Sequence, residues 1–522
     1  MLKLTIEQHR GITFWGLALI AIGLPLSVFA ISVGQIVLAA NWLLEGNLKA
    51  KIVKIFTDPL SLILISLYGL LLLGMIHTQD VNQGLKELRI KLPLFILPLL
   101  LFTSNLPKKR MLQNVFFVFV AATVLGSILG CIQRYWFEEP NLMNKRGLSI
   151  FVSHIRFGLM VVFSFFLLGY YLVVKRKLWS KTGKILTIIA MLWLFYFLIL
   201  LESPSSFLAF MVLSGFTLLR TLFTAKNKYI KVVAIIVFAV GATSITAYVV
   251  SIYNNHILDL PVNYETIDTH TVNGRKYKHQ KNGDARENGN RVWDFISRKE
   301  LKNEWPSKSQ IALNDSDKSG QILFYTLTRY MASKGLRKDS VGIHALTEED
   351  IYNIENGFTN YKYVATWSIG RRIDQLICEL EDYQSGGNPN ESSLIQRITY
   401  FKIGLAVIKE NWIWGVGTGD LYRAFKTYYN NHDLGLVEER QGIAHNQYLS
   451  IALATGIFGF LWFVFAFLYP LARYWKDYLY VSFILMIALS FLSDNTFDSQ
   501  AGVTLFAFFN TLLMIRKEYN ED

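Results

Sequence analysis

The chain has 522 residues, of which 52% are hydrophobic and only 17% charged, and its mean hydropathy is +0.31. The hydrophobic residues come in blocks about as long as a membrane-spanning helix, which excludes a wholly soluble protein. The formal net charge of +13 lies mainly in short loops between these blocks, so it indicates membrane orientation and not binding to nucleic acid.

Twelve apolar blocks predict an all-α polytopic membrane protein. The first block follows a short polar segment without a small-residue cleavage site, so we expect a retained span and not a removed signal peptide. Pro25 marks the expected break between the first two spans. The predicted spans cover about residues 11–26, 28–45, 58–77, 92–106, 111–133, 153–174, 184–202, 205–222, 231–252, 446–469, 478–493 and 498–515.

Lysine and arginine predict the orientation of these spans, because cytoplasmic loops are rich in both. Basic residues cluster after the second, fourth, sixth, eighth and tenth spans and in the tail, at Arg516 and Lys517. Both termini are therefore expected in the cytoplasm. The segment Thr78–Lys91 is an exception, since it carries Lys86, Arg89 and Lys91 in a loop assigned to the outer side.

A long polar insert divides the chain into three predicted parts. These are an N-terminal membrane region of about nine spans (residues 1–252), an outer insert (253–445) and a C-terminal region of three spans (446–522). Residues 273–319 are strongly polar and form either a flexible segment or a small subdomain. Helices are predicted at Trp367–Asp382 and Ser392–Asn411, with a turn at residues 386–390. Cys131 and Cys378 are not expected to pair.

His445 is the first candidate functional residue. It is followed by Asn446 and, nine residues later, by Gly456-Ile457-Phe458-Gly459. On a helix, His445, Ala452, Gly456 and Gly459 share one face, and small residues there allow another helix to approach closely. A titratable imidazole at the head of this face is a candidate acid–base group. A purely structural role for a lone interfacial histidine is the alternative.

Two arginines are candidate anion ligands. Arg397 begins an amphipathic stretch, and its five donors suit bidentate recognition of phosphate. Arg156 stands beside His154 at the outer start of the sixth span, where ionisable residues are often functional. For both arginines the alternative is a side chain that anchors a helix end at the lipid interface.

The glycine-rich segment Gly415–Asp420 superficially resembles a nucleotide-binding loop. It lacks the lysine and the preceding strand of such a loop, so a tight turn that returns the next helix to the membrane is predicted instead. Glu202 and Arg423 are weaker candidates at the outer edge. The sequence has no cluster with metal-ligand spacing, so no metal or other cofactor is predicted.

Together these motifs resemble the O-antigen ligase and polymerase superfamily. The sequence from His445 to Gly459 matches the family signature, and Arg397 with the run Asn411–Gly419 is similar to its arginine helix and glycine turn. The specific motifs cover mainly residues 391–470, with weaker support at 153–158. The resemblance implies a GT-C-like fold with about twelve transmembrane helices and one large, mostly helical periplasmic loop.

The resemblance also implies an activity, that of a metal-independent glycosyltransferase of the bacterial inner membrane. Such an enzyme takes a glycan from an undecaprenyl-diphosphate-linked donor at the periplasmic face and passes it to an acceptor hydroxyl, which in the ligases belongs to lipid A–core. His445 then corresponds to the catalytic base or acceptor-orienting group. Arg397 and Arg156 correspond to ligands of the donor diphosphate. Supporting candidates are His154, Asn446, Gly456, Gly459, Glu202 and Arg423.

The chain departs from the family pattern at one place. Relatives often have an arginine after a serine at the outer start of the eighth span, where this chain reads Ser203-Pro204-Ser205-Ser206. Arg156 or an arginine of the insert is then needed to neutralise the diphosphate, or the activity is altered or lost. A glycan polymerase and a protein O-glycosyltransferase remain alternatives to a ligase. A transporter is disfavoured because the charged residues cluster at the outer edge and not in mid-span.

Overall fold

The computed structural model describes residues 4–137, 145–174, 180–257, 267–280, 286–365, 390 and 393–518. Each of the twelve predicted spans coincides with a helix. The helices are α1 (Ile6–Leu26), α2 (Val28–Leu44), α3 (Leu48–Thr57), α4 (Pro59–Gly74), α5 (Val81–Lys91), α6 (Pro93–Thr103), α7 (Lys109–Ile132), α8 (His154–Val174), α9 (Lys181–Leu201), α10 (Pro204–Thr224), α11 (Lys228–Ile257), α12 (Arg298–Glu304), α13 (Leu323–Ser333), α14 (Ser340–His344), α15 (Glu348–Glu355), α16 (Lys362–Ala365), α17 (Ser393–Glu410), α18 (Leu421–Asn431), α19 (Gln447–Tyr474), α20 (Tyr478–Ser493) and α21 (Gln500–Glu518).

Seven helices in the described part of the chain are long and apolar enough to cross a membrane, namely α1, α7, α8, α9, α10, α11 and α19. Helices α2 and α3 reach that length only together, and they are bent by 113° at their junction. Helices α4 and α20 are apolar but have only 16 residues each. The protein is therefore a multi-pass, mainly helical membrane protein, whereas the count of twelve crossings is not confirmed.

The chain separates into two compact units, of which the first comprises residues 1–133, 146–217 and 397–522. Its core contains phenylalanines from four helices, α7, α8, α20 and α21. The ring centroid of Phe509 lies 4.6 Å from that of Phe119 and 4.9 Å from that of Phe163, which is 5.1 Å from Phe483. This packing holds together α8, α20 and α21, whose ends border the candidate site.

The second unit, residues 134–145 and 218–396, contains a small packed subdomain within the insert. Trp305, Leu327, Tyr330 and Ile354 are almost completely buried in its core. The described residues of the polar stretch 273–319 thus belong to a subdomain and not to a flexible segment. The predicted helix Trp367–Asp382, the turn at 386–389 and Cys378 lie outside the described residues.

A short hairpin in this subdomain differs from the expectation of helices alone. Strands β1 (Arg286–Glu287) and β2 (Asn290–Arg291) pair antiparallel. They are joined by Asn288 and Gly289, both at positive φ. An Asn-Gly pair favours the two-residue turn whose twist matches that of paired strands. The Asn-Gly pair was visible in the sequence, but the strands on either side are too short to show the alternation of apolar and polar residues that predicts a strand.

Candidate functional site

His445 precedes helix α19 and is not part of it. Asn446 is the N-cap, and its side-chain oxygen accepts a hydrogen bond from the Leu449 amide at 2.9 Å. The helix therefore begins at Gln447, so the predicted helical face headed by His445 is wrong. An N-cap residue has non-helical dihedral angles, which turn the residue before it away from the helix axis. The imidazole of His445 is solvent-exposed at this end.

The predicted helical face is also interrupted at Gly456, which has a φ of 65° and a ψ of −170° inside α19. This break leaves backbone groups without helical partners, and the Gly415–Asp420 turn supplies them. The Val416 and Gly417 amides donate to the carbonyls of Leu453 and Ala454 at 2.7 and 3.1 Å. Gly456 therefore makes room for this turn.

The other end of the glycine turn packs on the corner between α4 and α5. The Asp420 carboxylate accepts hydrogen bonds from the Gln79 and Asp80 amides at 2.6 and 3.0 Å, and the Thr418 hydroxyl donates to the Leu71 carbonyl at 2.8 Å. These hydrogen bonds pair the polar side chains of the turn with partners inside the protein. The turn therefore has the structural role predicted for it. Gly459, one turn after the break, lies against Leu70 of α4.

The loop between α20 and α21 holds the chain on both sides of His445. Asn495 is buried, and its side chain donates to the Ala444 carbonyl at 2.9 Å and accepts from the Ser450 hydroxyl at 3.0 Å. Asn446 donates in turn to the Leu492 carbonyl at 3.1 Å. The position of His445 is thus set by contacts between helices that are distant in the sequence.

Helix α17 packs beside His445 and carries Arg397 and Tyr400. Arg397 is exposed in its first turns, and Tyr400, one turn later, is buried. The ring centroid of Tyr400 lies 6.3 Å from that of His445, and its hydroxyl donates to the Arg440 carbonyl. Gly404 lies against Leu449 of α19, which allows α17 to pack closely beside the His445 segment.

The electrostatic environment of His445 favours the neutral imidazole. Desolvation by the surrounding protein lowers the pKa of His445 from its ordinary value, and the positive charge of Arg397 lowers it further. The carboxylate of Asp494 opposes them and raises the pKa. A neutral imidazole can accept a proton, so this position suits a general base.

Arg156 is engaged by the α20–α21 loop. Its guanidinium donates to the Asn495 carbonyl at 2.9 Å and to the Ser153 hydroxyl at 3.1 Å, and it lies 3.4 Å from the Asp494 carboxylate. The same Asp494 carboxylate raises the pKa of His445. The side chain of Arg156 is directed to this loop and not to lipid.

Ser203 and Ser206 stand where relatives often have an arginine, and they lie in a close contact between helices. Ser203 and Ser206 are buried and their hydroxyls lie 2.9 Å apart. Ser206 also faces Gly158 of α8, where an added Cβ would collide with the Ser206 side chain. The preceding residue, Glu202, ends α9 in the left-handed conformation with a φ of 50°.

The remaining candidates are less closely connected to His445. His154 is the first residue of α8, and Arg423 lies on the exposed side of α18. Asn495 was not singled out from the sequence, although it lies in the loop after α20 next to Asp494. Asparagine between two spans is a weak signal, because only the fold shows that its amide reaches Ala444. Among the described residues, no group of three or more His, Cys, Asp or Glu side chains is arranged to hold a metal ion.

A comparison with protein families assigns the segment that contains these residues. Residues 352–464 match the family model described as O-Antigen ligase. The matched segment includes Arg397, the glycine turn and the motif from His445 to Gly459, so this part of the chain is similar to the O-antigen ligase family. No curated protein matches the chain.

Proposed function

We propose that the protein transfers a glycan from an undecaprenyl-diphosphate-linked donor to an acceptor hydroxyl at the periplasmic face of the inner membrane, with O-antigen and lipid A–core as donor glycan and acceptor. The observation that carries this proposal is that α17, which bears Arg397, packs beside the His445 segment. The ring centroid of Tyr400, one turn after Arg397, lies 6.3 Å from that of His445, and the charge of Arg397 lowers the pKa of His445. Both lie within the segment that matches the O-Antigen ligase family.

The reaction follows from the chemistry of these two groups. The neutral imidazole of His445 takes the proton of the acceptor hydroxyl as the hydroxyl oxygen attacks the anomeric carbon. The bond from this carbon to the diphosphate oxygen breaks, and undecaprenyl diphosphate leaves with the electron pair. The guanidinium of Arg397 stabilises the negative charge that develops on the leaving group. Attack from the face opposite the diphosphate inverts the anomeric centre.

Arg156 receives a different role from the one that the resemblance implied. Its donors already serve Ser153 and Asn495, and its charge faces Asp494. We therefore assign it to holding the α20–α21 loop against the His445 segment. Arg397 lies on the exposed side of α17 and its charge acts on the pKa of His445, so it remains the candidate ligand for the diphosphate.

The test is the glycan pattern of cells that lack the native gene and carry His445→Ala or Arg397→Ala. Loss of a general base or of a charge-stabilising donor reduces transfer by about 10²–10⁴-fold, so lipopolysaccharide purified from either strain should lack the attached glycan. His432→Ala and Lys409→Ala are matched controls, because both residues are exposed and neither is a candidate site residue.

The same assay separates the alternatives. Normal glycan ladders from both well-folded variants would contradict the assignment of His445 and Arg397. A change in glycan length without loss of attachment would identify a polymerase, and loss of glycan from proteins with normal lipopolysaccharide would identify a protein O-oligosaccharyltransferase.

A further inference from the structure

Helix α3 lies across the end of a hairpin formed by α1 and α2. Helix α1 is long enough to cross a membrane, and α2 returns beside it, with Gly16 against Leu38 and Gly34 against Ile20. Between α2 and α3 the chain turns by 113°. Helix α3 has 10 residues and extends only about 15 Å, which is half of the hydrocarbon thickness of a bilayer. A helix this short and nearly perpendicular to α2 runs along the membrane surface.

The corner between α2 and α3 is fixed by the backbone and by a buried ion pair. Gly46 and Asn47 both adopt the left-handed conformation, with φ values of 67° and 54°, which turns the chain sharply. The ammonium of Lys51 is buried, pairs with Glu45 at 2.8 Å and donates to the Trp42 carbonyl at 2.6 Å. One side of α3 is therefore held against the end of α2.

A second side of α3 is apolar and exposed. At about 100° per residue, Leu48, Ile52 and Phe56 lie within about 80° of one another. Their exposed fractions are 42%, 48% and 69%. Ile55, one turn after Lys51, faces the protein and is buried, so this apolar stripe is distinct from the side that packs. The helix thus has more apolar residues than its packing uses.

The apolar stripe continues the exposed apolar side of α2. Leu43 and Leu44, at the end of α2, are 59% and 64% exposed. Exposed large apolar side chains on two consecutive helices of a membrane protein indicate contact with acyl chains. Leu48, Ile52 and Phe56 therefore lie at the depth where the hydrocarbon meets the headgroups.

Basic residues surround this stripe. Lys49 and Lys54 are exposed on the remaining sides of α3. The basic residues 108–110, at the start of α7, are also exposed, and Lys108 pairs with Glu7 at 3.2 Å, which places them at the same end as the start of α1. Anionic headgroups attract such a cluster of lysines and arginines.

The carboxylates near this end do not cancel its positive charge. Glu7 is paired with Lys108 and Glu45 with Lys51. Asp58 caps α4, where its carboxylate accepts from the amides of Leu60 and Ser61. Lys49, Lys54 and the residues after Lys108 remain as additional positive charge at the surface.

We propose that α3 is an interfacial helix that binds the anionic headgroups of the leaflet at the end of the protein that carries the N-terminus. Leu48, Ile52 and Phe56 enter between the acyl chains, while Lys49 and Lys54 extend their stems along the helix and place their charges among the headgroups. This leaflet is the one predicted to be cytoplasmic. The proposal does not depend on glycan transfer.

The first test measures which side of α3 faces lipid, with the full chain in lipid nanodiscs. Cys131→Ser and Cys378→Ser remove the native thiols, and Ile52→Cys or Ala50→Cys carries the fluorescent NBD group. Nitroxides in the acyl chains quench a label in the hydrocarbon, and iodide quenches one in water. Ala50 is exposed on the side opposite Ile52. We expect quenching by nitroxide lipids and protection from iodide at position 52, and the reverse at position 50.

The second test measures selection of the headgroup. Nanodiscs of one composition, phosphatidylglycerol with phosphatidylcholine, carry the nitroxide on either lipid. The label at position 52 should be quenched more strongly by nitroxide phosphatidylglycerol, and Lys49→Gln with Lys54→Gln should abolish this difference. Lys226→Gln with Lys228→Gln is the matched control, because it removes two exposed lysines next to α11 and should keep the difference.

Four results would overturn the proposal. Iodide quenching as strong at position 52 as at position 50 would show that the stripe faces water. Protection of position 52 from both iodide and the nitroxide lipids would show that protein covers it, from a partner or a second copy of this chain. Equal quenching by the two nitroxide lipids, or a difference that survives the loss of Lys49 and Lys54, would refute the binding of anionic headgroups by α3.

Discussion

At the scale of single residues, the position of His445 depends on a buried asparagine. Asn495 binds the Ala444 carbonyl and Ser450 through its side chain, and its own carbonyl accepts from Arg156. Asn495 therefore acts on the site by fixing the position of His445, and it needs no role in proton transfer itself. Asp494, next to it, adds a charge that acts on the pKa of His445.

The charges around His445 predict a pH dependence. If the neutral imidazole is the base, kcat rises as the pH increases through the pKa of His445. Asp494→Asn removes the charge that raises this pKa, so the acid limb of the profile should move to lower pH. Arg397→Gln removes a charge that lowers the pKa of His445. The acid limb of the residual activity of this variant should therefore move to higher pH.

The profile of kcat against pH, measured at saturating substrate, checks this prediction. Asp498→Asn is the matched control, since this carboxyl lies on the same loop but does not act on the pKa of His445. An acid limb that stays in place in both Asp494→Asn and Arg397→Gln would show that His445 is not the group that titrates.

At the scale of elements, the broken helix α19 and the glycine turn form one hydrogen-bonded structural unit. The turn donates to carbonyls that the break at Gly456 exposes, and the Ile457 amide donates to the Trp412 carbonyl at 2.8 Å. The sequence predicted the turn and the small residues correctly. It could not predict that they meet, because a glycine within an apolar run is compatible with both a continuous helix and a break.

The break predicts the effect of adding one methyl group. Gly456→Ala places a Cβ against the Ile413 carbonyl and imposes a φ of 65° on alanine. We expect a loss of about 1–3 kcal/mol in the free energy of unfolding from the backbone conformation alone. Thermal unfolding of the purified protein in detergent measures this loss.

Gly69→Ala is the control for this substitution, because no atom lies within 4 Å of its added Cβ in helix α4. Alanine is the better helix former, so this variant should be as stable as the wild type or more stable by about 0.5–1 kcal/mol. Equal stability of Gly456→Ala and the wild type would mean that the turn does not fill the break.

At the scale of the whole molecule, the arrangement of basic residues predicts the orientation in the membrane. The segment Thr78–Lys91 is basic although it is predicted to lie on the outer side, and the fold accounts for one of its basic residues. It forms α5, in which Lys91 is buried and paired with Glu87 and Asp498. Lys91 therefore has a packing role inside the protein, which gives a reason other than membrane orientation for a lysine in this segment.

Cysteine labelling checks this orientation. In a chain with Cys131→Ser and Cys378→Ser, Val341→Cys places a thiol on the exposed surface of the insert, and Lys476→Cys places one in the basic loop between α19 and α20. A membrane-impermeant maleimide added to spheroplasts should label position 341 and reach position 476 only after permeabilisation. The reverse pattern would invert the predicted topology.

The sequence by itself determined the membrane class, the position of each apolar helix, and the motif residues Arg397 and His445. These features are local, since apolar runs, basic loops and short motifs keep their meaning without knowledge of the fold. Only the tertiary structure decided that His445 precedes its helix, that Arg156 is held by Asp494 and Asn495, and that Lys91 is buried between Glu87 and Asp498. These features depend on contacts between helices that lie up to several hundred residues apart, and the spacing of residues along one helix does not contain them.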